Sequence, residues 1–174
     1  MHTVRLERDS DAAEIAAVTR AAFGSAEGAG ETEAALIEAL RSRGKAVVSL
    51  VAMNDERVVG HVLFSEVTVE TENPVRVLGL APLGVHPDAQ GRGLGSALVD
   101  RGLRECRSAG YDAVVVLGEP AYYRRFGFEP AGRYGLSNQY GADEGFMVLG
   151  LRPGALDDLT GIAMYEPEFA EVDA

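Results

Sequence analysis

The chain has 174 residues, 47% hydrophobic and 25% charged, and this composition predicts one globular domain over residues 1–174 rather than a disordered segment. Its 27 acidic side chains outnumber the 16 basic ones, and the formal net charge of -11 disfavours nucleic acid as a partner. A single cysteine, the lack of a cationic apolar leader, and apolar runs shorter than the roughly 20 residues of a membrane span indicate a soluble, cytoplasmic protein without a membrane partner.

The amino-terminal part of the sequence predicts one strand followed by two helices. Residues 4–7 form the strand candidate, and Asp11 and Glu14 have the spacing of a capping box at the start of the first helix. A glycine-containing turn at 24–31 separates that helix from a second one, which ends near Gly44.

The central part predicts a hairpin and then a β-α-β unit. Two β-branched runs at 46–54 and 58–70 flank a short polar turn, as in an antiparallel hairpin. An apolar run at 75–87 precedes helical periodicity from Gly93 to about Ala109. The apolar segment 112–118 then reads as an interior strand, parallel to the strand before the helix.

Residues 90–96, QGRGLGS, place three glycines at alternate positions where this central helix begins. Without Cβ atoms, several backbone N–H groups can point at one spot beside the partial positive charge of the helix end. Arg92 adds a full positive charge. The segment is therefore interpreted as a phosphate-binding loop, against the alternative of a plain connecting turn.

Two familiar phosphate loops do not fit this segment. The nucleoside-triphosphate loop ends in Gly-Lys and a hydroxyl residue, but the only lysine of the chain is Lys45. A dinucleotide fingerprint starting at Gly91 or Gly93 requires glycine where Ser96 and Leu98 stand.

The segment resembles, position by position, the acyl-coenzyme A loop of the GNAT superfamily of N-acetyltransferases. Its pattern of Gln or Arg, two variable residues, Gly, one variable residue, and Gly or Ala is filled by residues 90–95. The preceding LGVHPDAQ is similar to the family's fourth strand and its exit. The resemblance implies acetyl-CoA as co-substrate, without a metal, and assigns coenzyme binding to Leu83, Gly84, Val85, Gln90, Gly91, Arg92, Gly93, Leu94, Gly95 and Ser96.

A second stretch carries the same resemblance. PAYYRRFGFEPAG at 120–132 is similar to the family's short helix with a tyrosine four residues before Gly-Phe, a spacing that Tyr123 and Gly127 match. The adjacent Tyr122 stays open as an alternative. The resemblance implies an α/β (α+β) fold: a mixed, mostly antiparallel sheet with helices on both faces, its fourth and fifth strands parallel and splayed.

The implied reaction is transfer of an acetyl group from acetyl-CoA to a primary amine by direct attack. The resemblance assigns the backbone N–H of Val85 to the thioester carbonyl and the phenol of Tyr123 to the departing thiolate as general acid. A tyrosine pKa near 10, against about 8.5 for a thiol, suits that role. Either His61, Glu119 or ordered water can serve as the general base.

The acceptor and the assembly stay open at this point. A small amine or amino compound is favoured, a peptide or protein amino terminus is an alternative, and a homodimer is possible. Glu27, Glu31, Glu33 and Glu38 are either an attractor for a cationic amine or a solvated helix face. A non-catalytic acyl-CoA sensor on the same fold and a nucleotide-binding protein are the competing functions.

Overall fold

The computed structural model describes residues 2–157 and 159–172. The chain forms two compact units. The first contains the described residues of Met1–Phe64, Ala81–Gly102 and Pro167–Ala174, and the second those of Ser65–Leu80 and Leu103–Glu166. One domain over residues 1–174 stays a prediction.

The described residues form nine strands and five α-helices. The strands are β1 (His2–Leu6), β2 (Val48–Asn54), β3 (Arg57–Val69), β4 (Val77–Val85), β5 (Ala113–Leu117), β6 (Glu129–Pro130), β7 (Leu136–Asn138), β8 (Phe146–Gly150) and β9 (Gly161–Met164). The helices are α1 (Ala12–Phe23), α2 (Ala29–Ser42), α3 (Leu94–Ser108), α4 (Pro120–Arg124) and α5 (Glu168–Glu171). None of these helices is both long and apolar enough to cross a membrane.

In the first unit, β1, β2 and the first half of β3 form an antiparallel ladder. The predicted hairpin is confirmed: Asn54 pairs with Arg57 across a tight turn in which Asp55 has a φ of 57°. A short polar residue tolerates this left-handed conformation better than a branched one. The β2–β3 pairing therefore follows from local sequence.

Helices lie on both faces of β3 in this unit. Leu63 is fully buried in an apolar cluster with Ile15 of α1 and Leu40 of α2. On the opposite face, a Cβ added to Gly60 would lie 3.1 Å from Cδ1 of Leu98 in α3. Because side chains alternate between the faces of a strand, one strand anchors both helical layers.

The second unit contains the parallel pair that the sequence predicted. Val77–Gly79 of β4 pair in parallel with Ala113–Val115 of β5, and β4 then continues to Val85 beyond this short ladder. Of the other strand pairs, β5–β8, β6–β8 and β3–β9 are antiparallel, while β7–β9 is parallel. The sheet is thus mixed and mostly antiparallel, as expected.

The predicted capping box at the start of α1 is wrong. The carboxylate of Asp11 makes no cap hydrogen bond to the helix; it accepts from the Arg5 guanidinium at 2.7 Å and from the Arg8 N–H at 2.7 Å. Glu14 instead accepts from the backbone N–H of Val58 at 2.9 Å. Asp11 has taken partners just before it in the chain, and Glu14 has taken one 44 residues away, which the spacing of the two residues does not show.

A buried carboxylate holds the carboxyl-terminal helix α5 in place within the first unit. Glu168 is 1% exposed and accepts hydrogen bonds from Arg43 at 2.8 Å and Lys45 at 3.0 Å. Burial by itself raises the pKa of Glu168, but the two cationic donors outweigh burial and hold it at about 2. Phe169 and Val172 pack against the core beside it.

We expect Glu168→Gln to lower the melting temperature at pH 7 by about 3–12 °C, because hydrogen bonds to charged groups contribute about 1.5–3 kcal/mol. The folded-state pKa of Glu168 is below its ordinary value of 4.5, so this stabilisation is complete above pH 4.5 and is lost as the pH falls toward about 2. Thermal unfolding at several pH values should show the melting temperatures of Glu168→Gln and wild type becoming equal in acid. The matched control is Glu171→Gln, which removes a half-exposed partner of the same Arg43 and should change little. Equal melting temperatures of Glu168→Gln and wild type at pH 7 would contradict the assignment.

Candidate functional site

The glycine-rich loop of the first unit adopts a left-handed backbone conformation that glycine permits. Gly91 and Gly93 have φ values of 76° and 78°, in the left-handed region that side chains disfavour. A Cβ built on either glycine meets no other described atom within 4 Å. Residues 90–93 are exposed, and α3 begins at Leu94, one residue after the predicted start.

The loop and the start of α3 together present backbone donors to an anion. The first N–H groups of an α-helix have no acceptor within the helix, and here these belong to residues that directly follow Gly93. Leu94 is 4% exposed and anchors the helix start, whereas Arg92 beside it is exposed. Open backbone, helix dipole and one guanidinium fit the diphosphate of a coenzyme.

The side chain of Gln90 connects this loop to the end of β4. Its Nε2 donates to the carbonyl of Val85 at 3.1 Å. The next residue, His86, donates its N–H to Val59 of β3 at 2.8 Å. Because successive peptide groups of a strand point to opposite sides, the N–H and C=O of Val85 point away from β3. Sequence reasoning did not foresee this hydrogen bond, since the motif specifies Gln or Arg at position 90 but not where that side chain points.

Leu83 and Gly84 lie just before Val85 and are half-buried. A Cβ on Gly84 would lie 3.1 Å from Cβ of Ala22 and 3.4 Å from Cε2 of Phe23, so the end of α1 packs closely on this part of β4. The structure therefore places all the residues assigned to coenzyme binding, from Leu83 to Ser96, in the first unit.

Tyr123 lies in the second unit, in the short helix α4. Its side chain is 8% exposed, and its ring packs against Tyr122 at 5.0 Å and Phe128 at 5.7 Å between centroids, both edge-on. Among the described residues, none forms a hydrogen bond with the Tyr123 hydroxyl. Burial raises the pKa of Tyr123 to about 12, so the phenol keeps its proton at neutral pH.

The neighbouring Tyr122 has different surroundings. It is half-buried, and the guanidinium of Arg125 lies 4.5 Å from its ring centroid. Such a cation–π contact occupies the face of the ring. Tyr122 remains the alternative to Tyr123, and substitution of each hydroxyl separates them.

His61, one candidate base, belongs to a buried polar network in the first unit. The histidine is 1% exposed, and its Nε2 lies 2.8 Å from the Ser49 hydroxyl, which donates to Glu7 at 2.7 Å. Arg41 donates to both carboxylate oxygens of Glu7, at 2.7 and 2.8 Å. Burial lowers the pKa of His61 despite the carboxylate nearby. A neutral imidazole, bonded through Nε2 to the network that links β2 and β3 to α2, accounts for this residue structurally.

Glu119, the other candidate base, is exposed and directly precedes α4. Its carbonyl accepts from the N–H groups of Tyr122 and Tyr123, at 3.1 Å each. The backbone of Glu119 thus starts the helix that carries both tyrosines, whatever its carboxylate does.

Two of the four acidic residues proposed as an amine attractor are neutralised. Glu31 pairs with Arg20 at 2.8 Å, and Glu38 pairs with Arg41 at 2.8 Å. Close opposite charges weaken the field that reaches a distant cation. A general acidic attraction by these helices is accordingly smaller than the sequence suggests.

The single cysteine is poorly suited to act as a nucleophile. Cys106 is fully buried, and burial raises its pKa to about 12, which keeps the thiol protonated. Within residues 2–157 and 159–172, no three His, Cys, Asp or Glu side chains form a group suited to a metal ion.

Comparison with known proteins identifies the family of this chain. The family model for the acetyltransferase (GNAT) domain matches residues 3–131. The Escherichia coli K12 protein YhbS, described as an uncharacterized N-acetyltransferase, is 40% identical over 168 residues, covering 95% of this chain and 97% of YhbS. A second protein of the same strain, the uncharacterized N-acetyltransferase YjhQ, is 38% identical over 130 residues, which are 74% of this chain and 70% of YjhQ.

Solved structures extend the likeness to three dimensions. The crystal structure of YhbS from Escherichia coli in complex with CoA aligns with a TM-score of 0.90 and 38% identity, over 97% of this chain and 92% of that one. A GNAT family acetyltransferase from Brucella melitensis in complex with acetyl-CoA aligns with a TM-score of 0.79 and 36% identity, over 97% and 98%. On these grounds the chain belongs to the GNAT superfamily and is an acyltransferase, an N-acetyltransferase with acetyl-CoA as its co-substrate.

Proposed function

We propose that this enzyme transfers the acetyl group of acetyl-CoA to a primary amine by direct attack, without an acetylated protein side chain. The observation that carries the proposal is the Tyr123 phenol, which is held by packed rings yet has no hydrogen-bond partner among the described residues. Cys106 is buried and protonated, so it is a poor nucleophile for a covalent route.

The coenzyme is held by the loop of the first unit. The backbone of Gly91–Ser96 and the Arg92 side chain bind the diphosphate, while Leu83, Gly84 and Val85 bind the pantetheine arm. The bound co-substrate supplies an activated acetyl thioester. The outward-pointing N–H of Val85 donates to the carbonyl of that thioester and stabilises the charge that develops there during attack.

Tyr123 donates a hydrogen bond to the departing thiolate. With its pKa raised to about 12, the phenol is protonated throughout the neutral range and is always available as a donor. Full transfer of its proton to a thiolate of pKa about 8.5 would cost roughly 5 kcal/mol. The raised pKa of Tyr123 supports a mechanism in which the phenol first stabilises the thiolate by hydrogen bonding and transfers its proton late.

The acceptor is a small amine or amino compound, with a peptide or protein amino terminus as the alternative. His61 is enclosed by Ser49 and Glu7, so we assign removal of the amine proton to ordered water or to the exposed Glu119. Cytoplasmic location and a homodimer are further parts of the proposal, based on composition and on the resemblance alone.

A panel of amines incubated with acetyl-CoA tests the proposal by thiol release. The panel should contain monoamines, diamines, amino acids and short peptides, each paired with its N-acetylated form as a matched control. We expect release with one or more amines and none with the blocked partners. Tight binding of acetyl-CoA with no amine-dependent release across the panel would instead favour the non-catalytic sensor, and binding of NAD in place of acetyl-CoA would favour a nucleotide-binding protein.

A further inference from the structure

The ring of Tyr123 rests on a glycine. Gly118 follows β5 directly, and a Cβ built on it would lie 2.4 Å from Cε2 and 3.0 Å from Cδ2 of the Tyr123 ring. Real Cβ contacts stay near 3.4 Å or more, so any side chain at this position must move the ring. The φ of Gly118 is not in the left-handed region, so the backbone itself accepts alanine.

Gly118 cannot move away from the ring without breaking the sheet. Its N–H donates to the carbonyl of Gly145 at 3.0 Å, extending the ladder in which Leu117 pairs with Phe146. Gly145 has a φ of 78°, and a Cβ on it would lie 2.6 Å from the carbonyl oxygen of Gly118. Two bare backbone segments therefore meet here, and the contact fixes the position of Gly118.

The ring is also confined by other aromatic side chains. Tyr122 and Phe128 pack edge-on against it, and Phe128 is 1% exposed. Close-packed interiors transmit a displacement rather than absorb it. A methyl group at position 118 should therefore shift the Tyr123 hydroxyl by roughly 1 Å, enough to weaken a catalytic hydrogen bond considerably.

We propose that Gly118 is a positioning residue of the acetyl transfer: the contact of its bare Cα with the Tyr123 ring, together with the edge of Tyr122, sets where the phenol hydroxyl lies. This inference rests on the proposed function, because it matters only if Tyr123 serves the leaving group. In the sequence, this positioning role is marked by the glycine that stands between the buried strand VVVL and the helix start Glu119-Pro120.

The test is Gly118→Ala with steady-state kinetics. We expect kcat to fall about 10- to 100-fold while the Kd for acetyl-CoA changes less than about twofold, because the residues assigned to coenzyme binding lie elsewhere in the chain. Gly132→Ala is the matched control, since a Cβ there meets no described atom within 4 Å and its φ is not left-handed. That variant should have wild-type kcat.

A double-mutant cycle distinguishes positioning from general damage. In the Tyr123→Phe background the same ring is displaced, but it carries no hydroxyl, so Gly118→Ala should reduce kcat by less than about twofold more. Wild-type kcat of Gly118→Ala, or equal losses in both backgrounds, would overturn the inference. An unchanged kcat of Tyr123→Phe would instead overturn the proposed acid role itself.

A second variant covers the case in which Gly118→Ala does not fold. Tyr122→Leu removes the half-buried ring that packs 5.0 Å from Tyr123, and Tyr122→Phe keeps that ring. We expect the leucine variant to have at least about fivefold lower kcat than the phenylalanine variant, with similar acetyl-CoA affinity. Equal kcat values of these two variants would overturn the inference that contacts with the Tyr123 ring set the position of its hydroxyl.

Discussion

Replacement of Gly93 by valine should abolish acetyl-CoA binding, raising the Kd at least about 100-fold, while the fold persists. Gly93 has a φ of 78° directly before α3, and its Cβ direction meets no described atom within 4 Å. A branched side chain there points away from the protein, across the backbone N–H groups that we assign to the diphosphate. The cost to folding is only the left-handed conformation, about 1–2 kcal/mol.

Isothermal titration with acetyl-CoA and CoA measures this loss, and thermal unfolding verifies that the variant is folded. Gly44→Val is the matched control, because Gly44 also lies in the first unit, has a φ of 71° and has no described atom within 4 Å of its Cβ position. It should be destabilised to the same degree and bind acetyl-CoA normally. If Gly93→Val retained wild-type affinity, the loop assignment would have to be abandoned.

The parts of the fold that the sequence predicted are those set by neighbouring residues. The β2–β3 hairpin depends on two β-branched runs and a turn between them, and the start of α3 depends on residues close to Gly93. Both were placed within a few residues of their observed positions. The parallel pairing of β4 with β5 followed from one further rule, that a helix between two apolar strands makes a crossover.

The parts that were missed depend on competing partners that spacing does not reveal. Asp11 contacts Arg5 instead of capping α1, and Glu14 contacts the backbone of Val58, 44 residues away. Glu168 lies in a segment with little pattern of its own, yet it is buried because Arg43 and Lys45 reach it across more than a hundred residues of chain. Such pairs become visible only when the tertiary structure is known.

The features of the candidate site also fall into those that the sequence predicts and those that it does not. The motifs predict roles for the loop residues and Tyr123, since each motif is contiguous and its spacing is specific, and these roles stay predictions. The contact between Gly118 and the Tyr123 ring, and the bond from Gln90 to the Val85 carbonyl, were not predicted from the sequence. Each depends on side-chain direction in three dimensions. For His61, burial and the bond to Ser49 support a structural role, while the identity of the general base stays a prediction.

Tyr123→Phe should lower kcat by about 10- to 1000-fold, which corresponds to about 1.4–4 kcal/mol of transition-state stabilisation. The phenylalanine ring can keep the edge-on contacts with Tyr122 and Phe128. Since no described residue bonds the hydroxyl, its removal should leave the melting temperature within about 2 °C of wild type and the Kd for acetyl-CoA within about twofold. A large loss of kcat in an equally stable, equally coenzyme-bound enzyme is the pattern of a group that acts only in the chemical step.

Single-turnover kinetics with saturating acetyl-CoA and an amine found in the panel measure that step directly. Tyr122→Phe is the matched control, because it removes a hydroxyl from the adjacent residue of α4 and leaves the ring that packs on Tyr123. We expect this control to turn over at the wild-type rate. The reverse result, a slow Tyr122→Phe and a normal Tyr123→Phe, would transfer the leaving-group role to Tyr122, and normal rates for both would mean that the thiolate departs without help from either phenol.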